Sequence, residues 1–175
     1  MKNTIITIFF CAFAALALGQ DDAISKFFPD IDSDENVTRV SISSKMFEMF
    51  MHVEPETEEE RQLLETISDL RGMRIITKEN MDDGLAYYRK ALRKPSSDYE
   101  ELLSVSEPDE NFTFFIKEVD GNIHEVFMIF GDKESVVLMS IRGLINLQEL
   151  SKLSRQMNIE GMKYLDHIDD EGKKQ

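Results

Sequence analysis

Three aspartates, Asp30, Asp32 and Asp34, alternate along the chain as the first ligands of a calcium-binding loop do. The sixth position of such a loop needs glycine for its turn, and the twelfth supplies a bidentate glutamate. Here those positions hold Glu35 and Ser41, so the sequence excludes an EF-hand. The preferred interpretation is a solvated acidic linker, and a loose calcium site is the alternative.

Histidine, which serves as a metal ligand and as a general base, occurs three times, at His52, His124 and His167. The pair His124-Glu125 falls in a predicted strand and lacks the second histidine of a zinc-protease helix. No spacing among the three histidines indicates a shared site. The sequence therefore predicts no metal site and no cofactor.

Ser43 and Ser44 stand beside Lys45, which is the composition of a Ser–Lys nucleophilic pair. Their position at the start of a predicted helix explains them as helix caps instead. The sequence contains no Gly-x-Ser-x-Gly elbow, phosphate loop or dinucleotide fingerprint. Carboxylates are too numerous to nominate one as general acid or base, so no catalytic residue is predicted.

The composition limits the classes of partner. The chain has 175 residues, of which 42% are hydrophobic, so it can bury a core as a single domain. Aspartate and glutamate outnumber lysine and arginine by 34 to 20, which gives a formal charge of −14. A body this acidic repels phosphate backbones and anionic lipid, so the sequence predicts no nucleic-acid partner.

The first 19 residues have the pattern of a secretory signal peptide. A lysine precedes an apolar run from Ile5 to Leu18, and Ala17 and Gly19 are the small residues of a cleavage site after Gly19. The run is shorter than the about 20 apolar residues that a membrane span needs. Cleavage removes Cys11, so the mature chain is free of cysteine. We expect an exported protein, periplasmic or secreted, with no membrane span after cleavage.

Apolar periodicity and turn residues predict an α+β fold in the order β-α-α-β-α-α-β-β-β-α. The single domain covers residues 37–165, after a polar segment, 20–36, and before a charged tail, 166–175. The first half is predicted to begin with a strand at Val37–Ile42 and a methionine-rich helix from Ser44. A second helix is capped by Thr57 and Glu60, carries Leu63, Leu64, Ile67 and Leu70, and ends at Gly72. A strand at Met73–Thr77, a helix capped by Asn80 and a short helix capped by Ser97 and Glu100 follow.

The second half is predicted to be an antiparallel meander followed by a helix. The strands are Phe112–Val119, Ile123–Phe130 and Ser135–Ile141, and the turn residues Asp120-Gly121-Asn122 join the first two. Gly143 is expected to end the meander. The C-terminal helix begins at Asn146 and carries the apolar residues Leu147, Leu150, Leu153 and Met157.

Both faces of the predicted meander carry apolar residues, which leaves open whether helices cover both of them. If the helices stack on one side, the uncovered residues form a candidate partner surface. That surface comprises Phe115, Val119, Val126, Met128 and Phe130. Plain core is the alternative. The methionine-rich helix, with apolar residues on nearly every side, is expected to be buried, and a partner surface there is the alternative.

Four stretches of the sequence resemble a known family. They are Val40–Phe50, Tyr99–Leu103, the hairpin around Gly121, and Ser140–Leu147. Together they resemble the small exported proteins, common in Bacteroidetes, that are catalogued as domain of unknown function 4252. The resemblance covers nearly the whole mature chain and its leader. It implies a periplasmic or secreted bacterial protein, and it transfers no activity and no site residue.

The function predicted from the sequence is a non-enzymatic binding or accessory module of the cell envelope. The expected partner is an envelope protein or a second copy of the chain. The alternative is a hydrolase that uses carboxylates in a cleft.

Overall fold

A computed structural model of the protein describes residues 22–147. In chain order its elements are α1 (Ala23–Phe27), α2 (Pro29–Asp32), β1 (Thr38–Ser43), α3 (Ser44–Phe50), α4 (Glu58–Ile67), β2 (Leu70–Lys78), α5 (Gly84–Ala91), β3 (Glu100–Ser106), β4 (Glu110–Val119), β5 (Asn122–Asp132) and β6 (Val136–Ile145). The predicted leader, the charged tail and all but the start of the predicted C-terminal helix lie outside the described residues. Within the described part, no helix is long and apolar enough to cross a membrane.

The strands form one six-stranded sheet in the order β1-β2-β6-β5-β4-β3, in which every neighbouring pair is antiparallel. The last four strands follow one another as a meander, because short turns can join only antiparallel neighbours. At the β4–β5 turn, Asp120 and Gly121 both have positive φ, 52° and 77°, as a two-residue hairpin of this hand requires. The predicted meander and the α+β class are confirmed.

The predicted short helix after Ser97 is wrong, because those residues form strand β3. Ser97 and Glu100 have the spacing of a capping box, yet Leu103 and Val105 alternate with serines, which is the period of a strand. Leu103 lies opposite Phe114 and Val105 opposite Phe112 in the ladder with β4. Pairing with an apolar neighbouring strand therefore outweighs the local cap signal.

Helix boundaries agree with the predictions at one end of α4 and differ at the other. The side chain of Thr57 accepts a hydrogen bond from the Glu60 amide at 3.1 Å, as a capping residue should. The helix ends at Ile67, however, so Leu70 and Gly72 belong to strand β2 rather than to the helix.

The cap of α5 also differs from the prediction. Asp83, not Asn80, caps this helix, and its carboxylate accepts from the Ala86 amide at 2.7 Å. Asn80 has a left-handed φ of 55° and forms part of the preceding turn.

Gly143 does not end the meander, because β6 continues to Ile145. Its φ of 146° is unusual for other residues, and a Cβ atom there would lie 2.3 Å from the carbonyl oxygen of Asp69. The next amide, that of Leu144, donates to the same carbonyl at 3.1 Å. Glycine is therefore required where the chain before β2 approaches β6.

The two faces of the sheet pack against different helices. One face, here the α5 face, carries buried Phe115, Phe127 and Leu138 and is covered by α1, α2 and α5. The opposite face, here the α3 face, carries buried Phe114 and packs against Phe47 of α3 and Ile67 at the end of α4, among others. Burial of these side chains drives folding at about 25 cal/mol per Å² of apolar surface.

The segment 20–36 is not a polar lead-in over its described part. Ala23, Ile24 and Phe28 are fully buried on the α5 face, and the ring of Phe28 lies 5.6 Å from that of Phe127. Acidic residues flank this stretch and make the segment polar on average, but the apolar spacing of four from Ile24 to Phe28 indicates a helix face. Residues 22–36 are therefore an integral layer of the fold.

We expect Phe115→Ser to destabilise the protein by about 3 kcal/mol or more, because it removes a large buried side chain from the α5 face and leaves a cavity. Phe115 is 6% exposed, and its ring stacks on Phe127 at a centroid distance of 6.2 Å. Urea unfolding measures the loss. The control is Val119→Ser, since Val119 is 42% exposed and should change the free energy of unfolding by about 0.5 kcal/mol at most. Equal midpoints for the two variants would contradict this packing.

Candidate functional site

The partner surface predicted on the meander does not exist as one surface. Phe115 lies on the α5 face, whereas Val126, Met128 and Phe130 lie on the α3 face. In the ladder between β4 and β5, Phe115 lies opposite Phe127. Successive residues of a strand point to opposite faces, so Val126 and Met128, on either side of Phe127, lie on the other face from Phe115. Phe115, Val126 and Met128 are buried, Phe130 is half-buried, and Val119 alone of the five is exposed.

A buried carboxylate, that of Glu125, lies at the centre of a polar cluster on the α5 face. Its Oε1 accepts hydrogen bonds from the backbone amide of Ala23 at 2.8 Å and from the Ser140 hydroxyl at 2.6 Å. Its Oε2 accepts from the Tyr99 hydroxyl at 2.6 Å. Burial, aided by this bond, raises the pKa of Tyr99, which keeps the hydroxyl a donor. The cluster fixes the first turn of α1 against the sheet.

Motif spacing in the sequence marks Glu125 only as the neighbour of His124. Its position was nevertheless visible, because Glu125 is in phase with Phe127 and Ile129, which point inward from β5. A charged side chain that points from a strand into the core needs hydrogen-bond donors that are buried with it. That pattern predicts a polar cluster, although it does not say which distant residues supply the donors.

A second polar group surrounds Arg74 on β2. Its guanidinium bonds the carboxylate of Asp22 at 3.1 Å, the Ser25 hydroxyl at 2.6 Å and the carboxylate of Asp32. Burial acts against the charge of Arg74, but the two carboxylates more than offset it, so the pKa of the guanidinium is raised. Asp22 is buried and also caps α1 by accepting from the Ser25 amide at 2.9 Å.

The acidic triplet of the N-terminal segment is not a calcium loop, because its carboxylates diverge. Each one pairs with a different cation on the body of the fold: Asp30 with Lys94, Asp32 with Arg74, and Asp34 with Lys78. Within residues 22–147, no group of histidine, cysteine and carboxylate side chains is arranged to hold a metal ion. The triplet therefore ties the segment to the sheet and α5, and it is neither a solvated linker nor an arrangement of ligands.

The other residues with catalytic potential are placed apart. Lys45 pairs with Glu48 at 2.9 Å. The ring of His52 bonds the Glu48 carbonyl at 2.8 Å. His124 is exposed on β5, and His167 lies outside the described residues. The described histidines and the Ser–Lys pair thus form no nucleophilic site in this arrangement.

The hydrolase alternative needs a cleft with carboxylates, and one cleft of about 590 Å³ has five acidic residues in its lining. It lies at the β5–β6 turn and is lined by Glu79, Asn80, Asp109, Glu110, Asp132, Lys133, Glu134 and Ser135. Asp132 accepts bonds from the Ser135 amide at 2.6 Å and the Glu134 amide at 2.8 Å. Burial acts to raise its pKa, but these bonds and that of the Ser135 hydroxyl lower it overall. A general acid needs the opposite shift.

The methionine-rich helix is exposed, contrary to the prediction that it is core. Of its residues Phe47 is buried, at 6% exposure, whereas five apolar residues within eight positions are 40–60% exposed. These five, Met46, Met49, Phe50, Met51 and Val53, are the methionine patch. Helix α3 is seven residues long and packs on β1 and β2 at one edge of the sheet, so it has the core on one side only. Exposed apolar side chains clustered this closely along the chain indicate a site of interaction.

Removal of the Glu125 carboxylate should release the N-terminal helices. Glu125→Ala leaves three donors without an acceptor, and we expect a loss of about 3 kcal/mol or more in the free energy of unfolding. Hydrogen exchange should show faster exchange of the α1 amides. Glu125→Gln, which keeps one acceptor oxygen, should lose less, and exposed Glu118→Ala on β4 is the matched control. Unchanged exchange in Glu125→Ala would show that the cluster does not hold α1.

The ion pairs of Asp30 and Asp34 should make stability fall in acid. Hydrogen bonding to Lys78 lowers the pKa of Asp34, and Lys94 lowers that of Asp30 against the opposing effect of burial. Because these folded-state pKa values lie below the ordinary 3.8, the stabilisation is present above about pH 4 and is lost as the pH falls through them.

The double variant Asp30→Asn/Asp34→Asn should therefore unfold at lower urea concentration than the unaltered protein at pH 7, and the difference should shrink as the pH falls below 4. Exposed Asp82→Asn is the control. A difference that stays constant from pH 7 to pH 3 would mean that the carboxylate charges do not hold the segment.

Comparison with known proteins places the chain in a family. The family model described as domain of unknown function (DUF4252) matches residues 31–153, from α2 to beyond β6. The chain matches no curated protein and no solved structure at a significant level. The match covers most of the chain and agrees with the resemblance noted in the sequence. The chain therefore belongs to the DUF4252 family.

Proposed function

We propose that this chain is an exported, non-enzymatic binding module that attaches to a protein of the cell envelope through the methionine patch. The observation that carries the proposal is the exposure of five large apolar side chains within eight residues, beside a helix that buries Phe47. A monomeric soluble protein normally exposes such residues singly, and a contiguous set marks an interaction site.

The chemistry of the patch suits binding. Met46, Met49 and Met51 have unbranched side chains with a polarizable sulfur, which adapt to partners of different shape. Complete burial of one large apolar side chain contributes about 1.5–3 kcal/mol. The patch residues are already partly covered, so a complex gains part of that amount from each of them.

The polar groups of the described fold support a binding role over a catalytic one. Glu125 and Asp22, the buried charged residues of the described part, have partners that hold α1 against the sheet. The hydrolase alternative depends on the acidic cleft, in which Asp132 has a lowered pKa and hydrogen bonds to its own turn. Turnover by the purified protein on a panel of hydrolase substrates would favour that alternative.

Export is proposed from the sequence pattern of residues 1–19. The apolar run and the cleavage site after Gly19 have the form of a leader. The mature chain would contain no cysteine, so its stability would rest on burial and hydrogen bonds rather than on disulfides. Periplasmic and secreted locations both fit this proposal.

A cross-linking experiment tests the patch. The purified protein and the variant Met46→Ser/Met49→Ser are each cross-linked to envelope proteins of the source cells, and the cross-linked peptides are mapped. We expect a reproducible partner whose cross-links surround the methionine patch and a loss of at least tenfold in its yield with the variant.

The control is Val119→Ser, which removes an exposed apolar side chain at the β4–β5 turn and should leave the yield unchanged. Circular dichroism checks that all three proteins are folded. Retention of the partner by Met46→Ser/Met49→Ser would overturn the proposal. Cross-links between two copies through the patch would make the chain its own partner in place of an envelope protein.

A further inference from the structure

We infer that the segment bound by the methionine patch is a cationic amphipathic helix; this inference rests on the proposed function and specifies its partner. Two features of the patch support the inference independently. One is the spacing of its apolar residues, and the other is the charge of the chain that follows it.

The spacing fits a helical partner. Met46, Met49, Phe50 and Val53 stand at positions i, i+3, i+4 and i+7, which is the apolar stripe of a helix. The helical turn continues past α3, because the amides of Met51 and Val53 donate to the carbonyls of Phe47 and Phe50 at 3.2 and 3.0 Å. The stripe is thus about two turns long and faces solvent. An apolar ridge of this form packs into the groove of a second helix.

The chain that carries and follows the patch has a negative charge. Residues 44–60 contain six glutamates and one lysine, and the lysine, Lys45, is paired with Glu48. Glu54 and Glu56 follow the patch directly and are exposed, and among the described residues neither carboxylate has a hydrogen bond or an ion pair. We call these two residues the acidic rim. Their carboxylates are available to lysine or arginine of a partner.

Further along, the carboxylates are more engaged. Glu58 and Glu65 form ion pairs with Arg61, and Glu60 accepts from the amide of Glu56 at 2.7 Å. Glu54 and Glu56, whose carboxylates have no such partners within residues 22–147, therefore lie where the apolar stripe ends. A partner helix that lies along the stripe with a basic polar face would meet the acidic rim, and the net charge of −14 would speed its approach.

The same charges disfavour the other occupants of the patch. A second copy of the chain packed with its α3 parallel to this one would bring the two acidic rims together, which is repulsive. An anionic membrane surface would be repelled as well. An apolar helix with a basic face is the partner chemistry that satisfies both the stripe and the rim.

The test uses two synthetic amphipathic helices with the same leucine face, one with lysine and the other with glutamate on the polar face. Binding of each fluorescently labelled peptide to the purified protein is measured by anisotropy at low and at physiological salt. We expect the lysine peptide to bind at least tenfold more tightly than the glutamate peptide, with an affinity that falls as salt increases. Met46→Ser/Met49→Ser should remove binding of the lysine peptide.

Charge variants separate the rim from the general acidity of the protein. Glu54→Gln/Glu56→Gln should weaken the binding of the lysine peptide to the protein severalfold. Glu100→Gln/Glu101→Gln makes the same change in charge on exposed residues of β3, at the opposite edge of the sheet, and should have little effect. Equal weakening by both pairs would show attraction to the whole molecule and would overturn the inference.

Failure of this inference differs from failure of the proposed function. If both peptides bind equally and lose binding with Met46→Ser/Met49→Ser, the patch binds helices without regard to charge, and the proposed function stands while the cationic partner is overturned. If neither peptide binds while the envelope partner still cross-links at the patch, the helical partner is overturned alone. Binding of phosphatidylglycerol vesicles in preference to the lysine peptide would also overturn the inference.

Discussion

The buried carboxylate of Glu125 is the constraint on which the rest of the α5 face depends. A buried carboxylate is tolerated only when donors surround it. Here the donors come from α1, from the residue before β3 and from β6, and the bond to Ala23 spans 102 residues of sequence. The requirement for all of these donors at one point couples the N-terminal helices to the meander. Arg74 on β2 likewise ties the N-terminal helices to the sheet through the carboxylates of Asp22 and Asp32.

Helices cover the two faces of the sheet to different extents. The N-terminal helices and α5 together cover the central strands on the α5 face. Helix α3, by contrast, is short and lies over the edge strand β1 and its neighbour β2. A helix at an edge has apolar residues that no other part of the described fold covers. The methionine patch is thus a product of sheet order: the strand that leads into α3 is the outermost one.

Local signals in the sequence were sufficient for part of this fold. The turn at Gly121 and the cap at Thr57 depend on residues within a few positions, so they could be predicted correctly. Strand β3 could not be predicted from local signals, because Leu103 and Val105 take their conformation from pairing with β4. Which side of the sheet a residue faces depends on register, and this was the error for Phe115. The donors of Glu125 lie far along the chain and no local pattern shows them.

The contact between Ala23 and Glu125 also governs the order in which the chain can fold. A contact across 102 residues closes late, since a long loop must lose its conformational entropy first. During synthesis the apolar side chains of α1 and α2 emerge before the strands that will cover them, and they have no docking surface until β5 and β6 follow. Within the described fold, the first segment made is therefore the last to be covered. Until then Ile24, Phe28 and Ile31 are exposed apolar side chains, which makes the incomplete chain prone to aggregation.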